Sequence, residues 1–416
     1  MSFIPYGRQS ISADDIAAVV RSLRSDFLTC GPEVEAFEKE LAALVGAKHA
    51  VAVCNATAAL HLAMRVLGIA PGDRIITSPI TFVASANAAA YAGATPDFCD
   101  VQPSNGNLNP ESLEATWKAD TKAVVAVDYA GIPCNMPEIA RVARSRGAFV
   151  IEDACHGTGG GFRVGENAWK FGAHPWADIT TFSFHPVKTL TTGEGGVLTT
   201  NNDEWAAKAR LLRTHGITRD PNEFEGLLGS STPADPSKAD ALAEHGTWYY
   251  EMQELGYNYR ITDLQCALGR SQARQLAGFI ARRQEIALRY QEAFAKFPWL
   301  TCPPLARAPF TSGDTGFGYA PRDLSLHLYT VQIDFQHLNK TRSEVMSDLR
   351  QKGVGTQVLY IPVYLQPWYR RNYGYGSGKC PNAEAFYAKA LSLPLYPALT
   401  DVEVERVIKS VTDLGH

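Results

Sequence analysis

Over the first two hundred residues, short runs rich in β-branched and apolar residues alternate with amphipathic stretches. No other feature of the chain restricts its fold as strongly. Strands are expected at residues 50–53, 74–77, 95–99, 123–127 and 148–152, with helices between them, one running from about 57 to 67. Two helices precede the first strand. Ile16, Val19, Val20 and Leu23 recur at helical spacing behind a capping pair, Ser12 and Asp15. Val34, Phe37, Leu41 and Leu44 do so again, and Gly46 is a natural stop. Such alternation argues for an α/β fold: a mostly parallel sheet with helices on both faces. Ligands then bind beyond the carboxyl ends of the strands.

The pattern changes further on. Residues 220–246 are punctuated by Asp-Pro-Asn, Gly-Ser-Ser-Thr-Pro and Asp-Pro-Ser and read as a mobile surface insertion, with an active-site lid as the sharper alternative. A long helical region follows at 262–297. After it come a strand at 327–335, a helix at 341–351, a strand at 356–361 and a final helix opened by Thr400-Asp-Val-Glu403. The expected organisation is a large α/β domain over 12–275 and a smaller C-terminal α+β domain over 276–416, with residues 1–11 near the active site.

Composition excludes several classes. At 416 residues the chain is long enough for two structural units around one site. A net charge of -4 carries no basic footprint for nucleic acid. No apolar run approaches the roughly 18 residues that span a bilayer, and Met-Ser-Phe-Ile-Pro-Tyr lacks the pattern of a signal peptide. The eight cysteines form no CxxC pair, so neither a disulfide framework nor a metal site is expected. A cytoplasmic protein fits.

The chemistry centres on Thr181-Phe-Ser-Phe-His-Pro-Val-Lys-Thr-Leu-Thr-Thr-Gly-Glu-Gly-Gly196. It sets Lys188 between an aromatic-serine run and a glycine-rich turn, where a lysine can form a Schiff base with a carbonyl cofactor. Upstream, Phe149-Val-Ile-Glu-Asp153 ends an apolar strand in two acids. An aspartate there can keep a pyridinium nitrogen protonated, although Glu-Asp after a strand is by itself more often a helix cap or an exposed turn. Asn55-Ala-Thr-Ala-Ala-Leu60 joins a strand to a helix; Thr57 and the helix N-terminus offer an anion site, with Ser183 as a further hydroxyl. Plain capping is the competing reading. Phe82 can stack on a planar ring or serve as core. Asn258 precedes the long helix, where a turn residue is the alternative. Each element is weak alone, and their order carries the signal. Dinucleotide and P-loop fingerprints are absent.

These residues resemble the fold-type I pyridoxal phosphate (PLP) aminotransferases of the DegT/DnrJ/EryC1/StrS family, which act on nucleotide-linked keto-sugars. The resemblance runs from Ile4-Pro-Tyr6 to Leu391-Ser-Leu-Pro-Leu-Tyr396. It implies that Lys188 is the Schiff-base lysine and Asp153 the partner of the pyridine nitrogen. Thr57, Ala58 and Ser183 then hold the phosphate, and Phe82 stacks on the ring. Asn258 is implied to reach the phosphate from a neighbouring subunit, making the protein a homodimer with shared sites. Tyr6, Asp26, Phe27, Leu28, Thr29, His185, His327 and Tyr329 resemble substrate-contacting positions. Within the family, Ser25-Asp-Phe-Leu-Thr-Cys-Gly-Pro32, Ser183-Phe-His-Pro-Val-Lys188 and His215-Gly-Ile-Thr-Arg-Asp220 are similar to members of the pseudaminic acid pathway. Those members move an amino group from L-glutamate to C4 of a UDP-4-keto-6-deoxy-N-acetylhexosamine. Other nucleotide-4-keto sugars (aminoarabinose, perosamine or bacillosamine type) and a non-catalytic binding role are the alternatives. Lys188 argues against the related sugar dehydratases, which carry histidine there. One departure stands out: Leu359 occupies a position where relatives usually have histidine.

Overall fold

The computed structural model describes residues 2–225, 248–308 and 316–415. A seven-stranded sheet forms its centre. Its strands are β1 (His49–Val53), β2 (Arg74–Thr77), β3 (Thr95–Phe98), β4 (Thr121–Val127), β5 (Phe149–Asp153), β6 (Ile179–Ser183) and β7 (Gly196–Thr200). They lie in the order β1-β7-β6-β5-β4-β2-β3. The β6, β5, β4, β2 and β3 neighbours pair in parallel, and β7 alone runs against the rest. The fold is therefore the expected α/β type. β4, β5 and β6 are almost wholly buried because helices cover both faces, which is why they read as continuous apolar runs.

Local signals mark several boundaries. Ser12 and Asp15 form the expected reciprocal cap at 3.2 and 2.8 Å. Gly46 ends the helix Pro32–Val45 at φ +79°. Thr400 and Glu403 cap the helix Asp401–Thr412. The helix after β1 spans Ala56–Val66 and is capped by Asn55.

Two expectations are corrected. The first helix does not bury Ile16, Val20 and Leu23, which are exposed; it buries Asp15, Ala18 and Ser22. Polar pairing overrides the apolar stripe, because Gln272 and Gln275 of the long helix both donate to the Asp15 carboxylate. Residues 356–361 form no strand. Gln357 and Ser392 exchange one pair of backbone hydrogen bonds, and the ladder stops before Pro362, which has no N–H to extend it.

The C-terminal region folds around a three-stranded antiparallel sheet of β8 (Leu300–Thr301), β9 (Tyr329–Ile333) and β10 (Ala390–Leu393). The helix Asp263–Phe294 is continuous through 275/276, the expected boundary. One hydrophobic cluster runs from Ile4 to Leu414. Most of the expected 220–246 insertion lies outside the described residues; Pro221–Glu223 forms a short 3-10 turn.

Candidate active site

The carboxyl ends of the parallel strands open on a cavity of about 530 Å³. Val127, Asp153 and Ser183 reach it from the ends of β4, β5 and β6, and Asn55 from the end of β1. Asp153 is almost fully buried. Its carboxylate accepts from the Ser85 hydroxyl at 2.7 Å and from the Cys155 N–H at 3.2 Å. Thr81 shares a 2.7 Å hydrogen bond with Ser85, so a hydroxyl chain ends on Asp153.

Lys188 follows β6 in a turn in which its N–H donates to the His185 carbonyl at 2.9 Å. Burial is the main influence on its amine and drives the pKa down to about 8 from 10.5, against the pull of Cys155 and Asp153. A substantial neutral fraction therefore exists near neutrality. The glycine run after it is a packing requirement. Gly193 takes φ +82°, and a Cβ on Gly196 would lie 2.5 Å from the Ala56 nitrogen. Only glycine lets β7 pass that closely to the helix N-terminus.

At that N-terminus the Asn55 side chain accepts from the Ala58 N–H at 2.9 Å. Ala58 is buried and does not line the cavity; Ala56 and Thr57 do. The Ala58 N–H is used by the cap. First-turn N–H groups at Ala56 and Thr57 have no carbonyl within the helix to bond. With the Thr57 and Ser183 hydroxyls they make an anion cradle. Phe82 lines the cavity with an exposed ring, 6.2 Å from that of Tyr360.

Tyr6, His185 and His327 also lie on the cavity wall. Burial, followed by the charge of Lys188, holds His327 well below its ordinary pKa. Tyr329 is not on the wall: it is fully buried, and its hydroxyl donates to Gln291 at 3.0 Å. Residues two apart share a face within a strand, but His327 precedes β9, in a segment where its N–H donates to the Ala130 carbonyl at 3.0 Å. Asp26, Phe27, Leu28 and Thr29 are exposed beside the start of the long helix, where the Leu28 carbonyl accepts from the Asp263 N–H at 3.0 Å; they do not line this chain's cavity. Neither does Asn258, which is exposed and bridged to Thr214.

Sequence reasoning missed Ser85, His156 and Tyr360 as wall or supporting residues. No spacing rule links a helix serine to a strand-end aspartate 68 residues away. Leu359 lines the cavity through an apolar side chain, and its carbonyl accepts from the Tyr129 hydroxyl.

The residues present fit pyridoxal phosphate. One cavity combines a low-pKa amine for a carbonyl, a hydrogen-bonded carboxylate for a pyridinium nitrogen, a helix N-terminus with hydroxyls for a phosphate, and an aromatic ring. Comparisons agree. Residues 9–412 match the DegT/DnrJ/EryC1/StrS aminotransferase family. The spore coat polysaccharide biosynthesis protein SpsC of Bacillus subtilis is 40% identical over 99% of this chain and 97% of its own length. PseC of Helicobacter pylori, an aminotransferase of pseudaminic acid biosynthesis, superposes with a TM-score of 0.83 at 28% identity, covering 99% of both chains. Spr1654 of Streptococcus pneumoniae, solved in PLP and PMP forms, gives a TM-score of 0.82 in each. Its PLP form is 26% identical, covering 99% of this chain and 98% of that one. The chain belongs to the DegT/DnrJ/EryC1/StrS aminotransferase family and is a pyridoxal phosphate-dependent sugar aminotransferase.

Proposed function

We propose that the chain transfers an amino group from L-glutamate to the C4 ketone of a UDP-4-keto-6-deoxy-N-acetylhexosamine, as in pseudaminic acid-type biosynthesis. The observation that carries this reading is the character of the cavity wall. Apart from Lys188, Asp153 and Glu194, its side chains are uncharged, and Tyr6, His156, His327 and Tyr360 offer polar groups suited to sugar hydroxyls. The full-length likeness to PseC supports the same substrate class.

In this mechanism Lys188, Asp153 and the Asn55–Thr57 turn hold the cofactor. When bound, it supplies an electron sink for the carbon that carries the amine. Lys188 moves the proton: its neutral amine takes one from the donor carbon and later returns one to the sugar carbon. Asp153, held by Ser85 and the Cys155 N–H, is the carboxylate that would pair with the ring nitrogen. His156 and His327 stay neutral because burial disfavours their charged forms, so they add no positive charge beside Lys188.

The deciding experiment runs the sugar half-reaction in reverse. UDP- and dTDP-linked 4-amino sugars are offered to the PLP form, and formation of pyridoxamine phosphate is followed by absorbance. Reaction with the UDP-4-amino-N-acetylhexosamine alone supports this substrate. Preference for another sugar supports a second reading, an aminotransferase for a different nucleotide-4-keto sugar. The 40% identity to SpsC, a spore coat polysaccharide protein, and the apolar Leu359 favour that second reading.

The same reading includes a homodimer. Asn258 is off this chain's cavity wall, and Phe27, Leu28, Trp248 and Leu255 are exposed apolar side chains, which suits a surface covered by a second copy. Mixing Lys188→Ala with Asn258→Ala subunits tests this. Shared sites predict recovered activity in the mixture, because one site of each mixed dimer then carries neither defect. No recovery means that Asn258 acts within its own chain or not at all.

A further inference from the structure

Within the cavity wall one pair of side chains has a fixed hydrogen-bond polarity. The Ala130 N–H donates to His156 Nδ1 at 3.1 Å, so that nitrogen carries no proton. A neutral imidazole then carries its proton on Nε2. His156 Nε2 lies 3.3 Å from the Tyr360 hydroxyl. The imidazole is therefore the donor of this pair and the Tyr360 oxygen the acceptor. The hydroxyl hydrogen of Tyr360 is left over, and among the described residues none stands as its acceptor. Tyr360 lines the cavity, so that hydrogen is available to a bound molecule.

We propose that Tyr360, oriented by His156, is a specificity-determining residue that donates a hydrogen bond to a neutral oxygen of the sugar, a hydroxyl or an acetamido carbonyl. The proposal rests on the sugar-aminotransferase reading of the site. Burial holds His156 well below its ordinary pKa and the Tyr360 phenol well above its own, so neither partner changes charge during turnover. A neutral donor suits a neutral oxygen; a carboxylate of the amino donor calls instead for a cation. The backbone carrying Tyr360 is anchored on both flanks. Gln357 pairs with Ser392, and the Val363 N–H donates to the Pro79 carbonyl at 3.0 Å. At the neighbouring position Leu359 offers no side-chain donor, which leaves Tyr360 as the polar group of this segment on the wall.

The test is Tyr360→Phe, which keeps the ring and removes one hydroxyl. Each half-reaction is measured separately in the PLP-loaded enzyme: L-glutamate with the wild type and the variant, then the reverse reaction with UDP-2-acetamido-4-amino-2,4,6-trideoxyhexose and the other aminated UDP- and dTDP-sugars. The expected result is a loss of about 10- to 100-fold in kcat/KM for the sugar that the wild type uses best, with no more than about a threefold change for glutamate. Equal rates with that sugar, or equal losses in both half-reactions, overturn the assignment of Tyr360 while leaving the functional reading intact. A wild type that reacts with none of the sugars overturns the functional reading itself.

Discussion

The Ser85 hydroxyl donates to Asp153 Oδ2 at 2.7 Å and receives the Thr81 hydroxyl at 2.7 Å. A buried carboxylate with two donors keeps one orientation, which the proposed pairing with a ring nitrogen requires. Ser85→Ala removes one donor and leaves Thr81 without its partner. We expect about 1–2 kcal/mol lower stability in urea unfolding and a glutamate half-reaction slowed about tenfold. An unchanged half-reaction would show that the Cys155 N–H suffices.

Lys188→Ala removes the amine to which the proposed mechanism assigns both cofactor attachment and proton transfer. The variant is expected to lack the visible absorption band of the loaded enzyme and to show no multiple turnover. Asp153→Asn keeps the shape and loses the charge. It should still take up cofactor but react at least about 100-fold more slowly. Near-normal rates in that variant would mean that another group protonates the ring nitrogen.

The pKa of Lys188 makes a prediction with a definite sign. In the folded, cofactor-free chain the amine releases its proton at about 8, against 10.5 ordinarily. Between those values the unfolded chain binds the extra proton. Burial of this lysine therefore costs stability below pH 8, and the cost fades as pH rises towards 10.5. The neutral amine is the reactive form, so the rate of cofactor uptake should rise about tenfold per pH unit below 8 and level off above it. Stopped-flow absorbance across that range checks the profile, and a flat profile contradicts it.

Gly131 holds the wall in place. Its φ is +89°, and a Cβ there would lie 2.0 Å from the Ser325 carbonyl oxygen and 2.8 Å from that of His156. The preceding residue, Ala130, donates to His156 Nδ1 and accepts from the His327 N–H at 3.0 Å. Gly131→Ala should cost about 2–4 kcal/mol in denaturant unfolding and weaken sugar turnover more than cofactor uptake. A stability loss without the selective effect on sugar would detach this turn from the site.

The parallel strands were legible because burial on both faces leaves continuous apolar runs, and the caps at Ser12 and Thr400 because they depend on residues three apart. Lys188, Asp153, Thr57 and Ser183 were singled out by residue type at strand ends and helix starts, and the fold brings all four to one cavity. Other features were not. The apolar positions Ile16, Val20 and Leu23 misled, since Asp15 turned inward to meet two glutamines from a helix some 260 residues away. Tyr329 and His327 looked alike in sequence, but His327 lies before β9, held to the Ala130 carbonyl on the cavity wall, while Tyr329 opens the strand and enters the core.

Sequence by itself determined the class of fold, because local periodicity suffices for it, and the family and its cofactor, because the motifs carry that resemblance along the whole chain. Tertiary structure decided the rest. Ser85, His156 and Tyr360 meet the site from segments that share no local pattern, and hydrogen-bond direction exists only once donors and acceptors are brought together. The tautomer of His156, and with it the free hydrogen of Tyr360, follows from a single backbone N–H at Ala130 whose position only the folded chain sets.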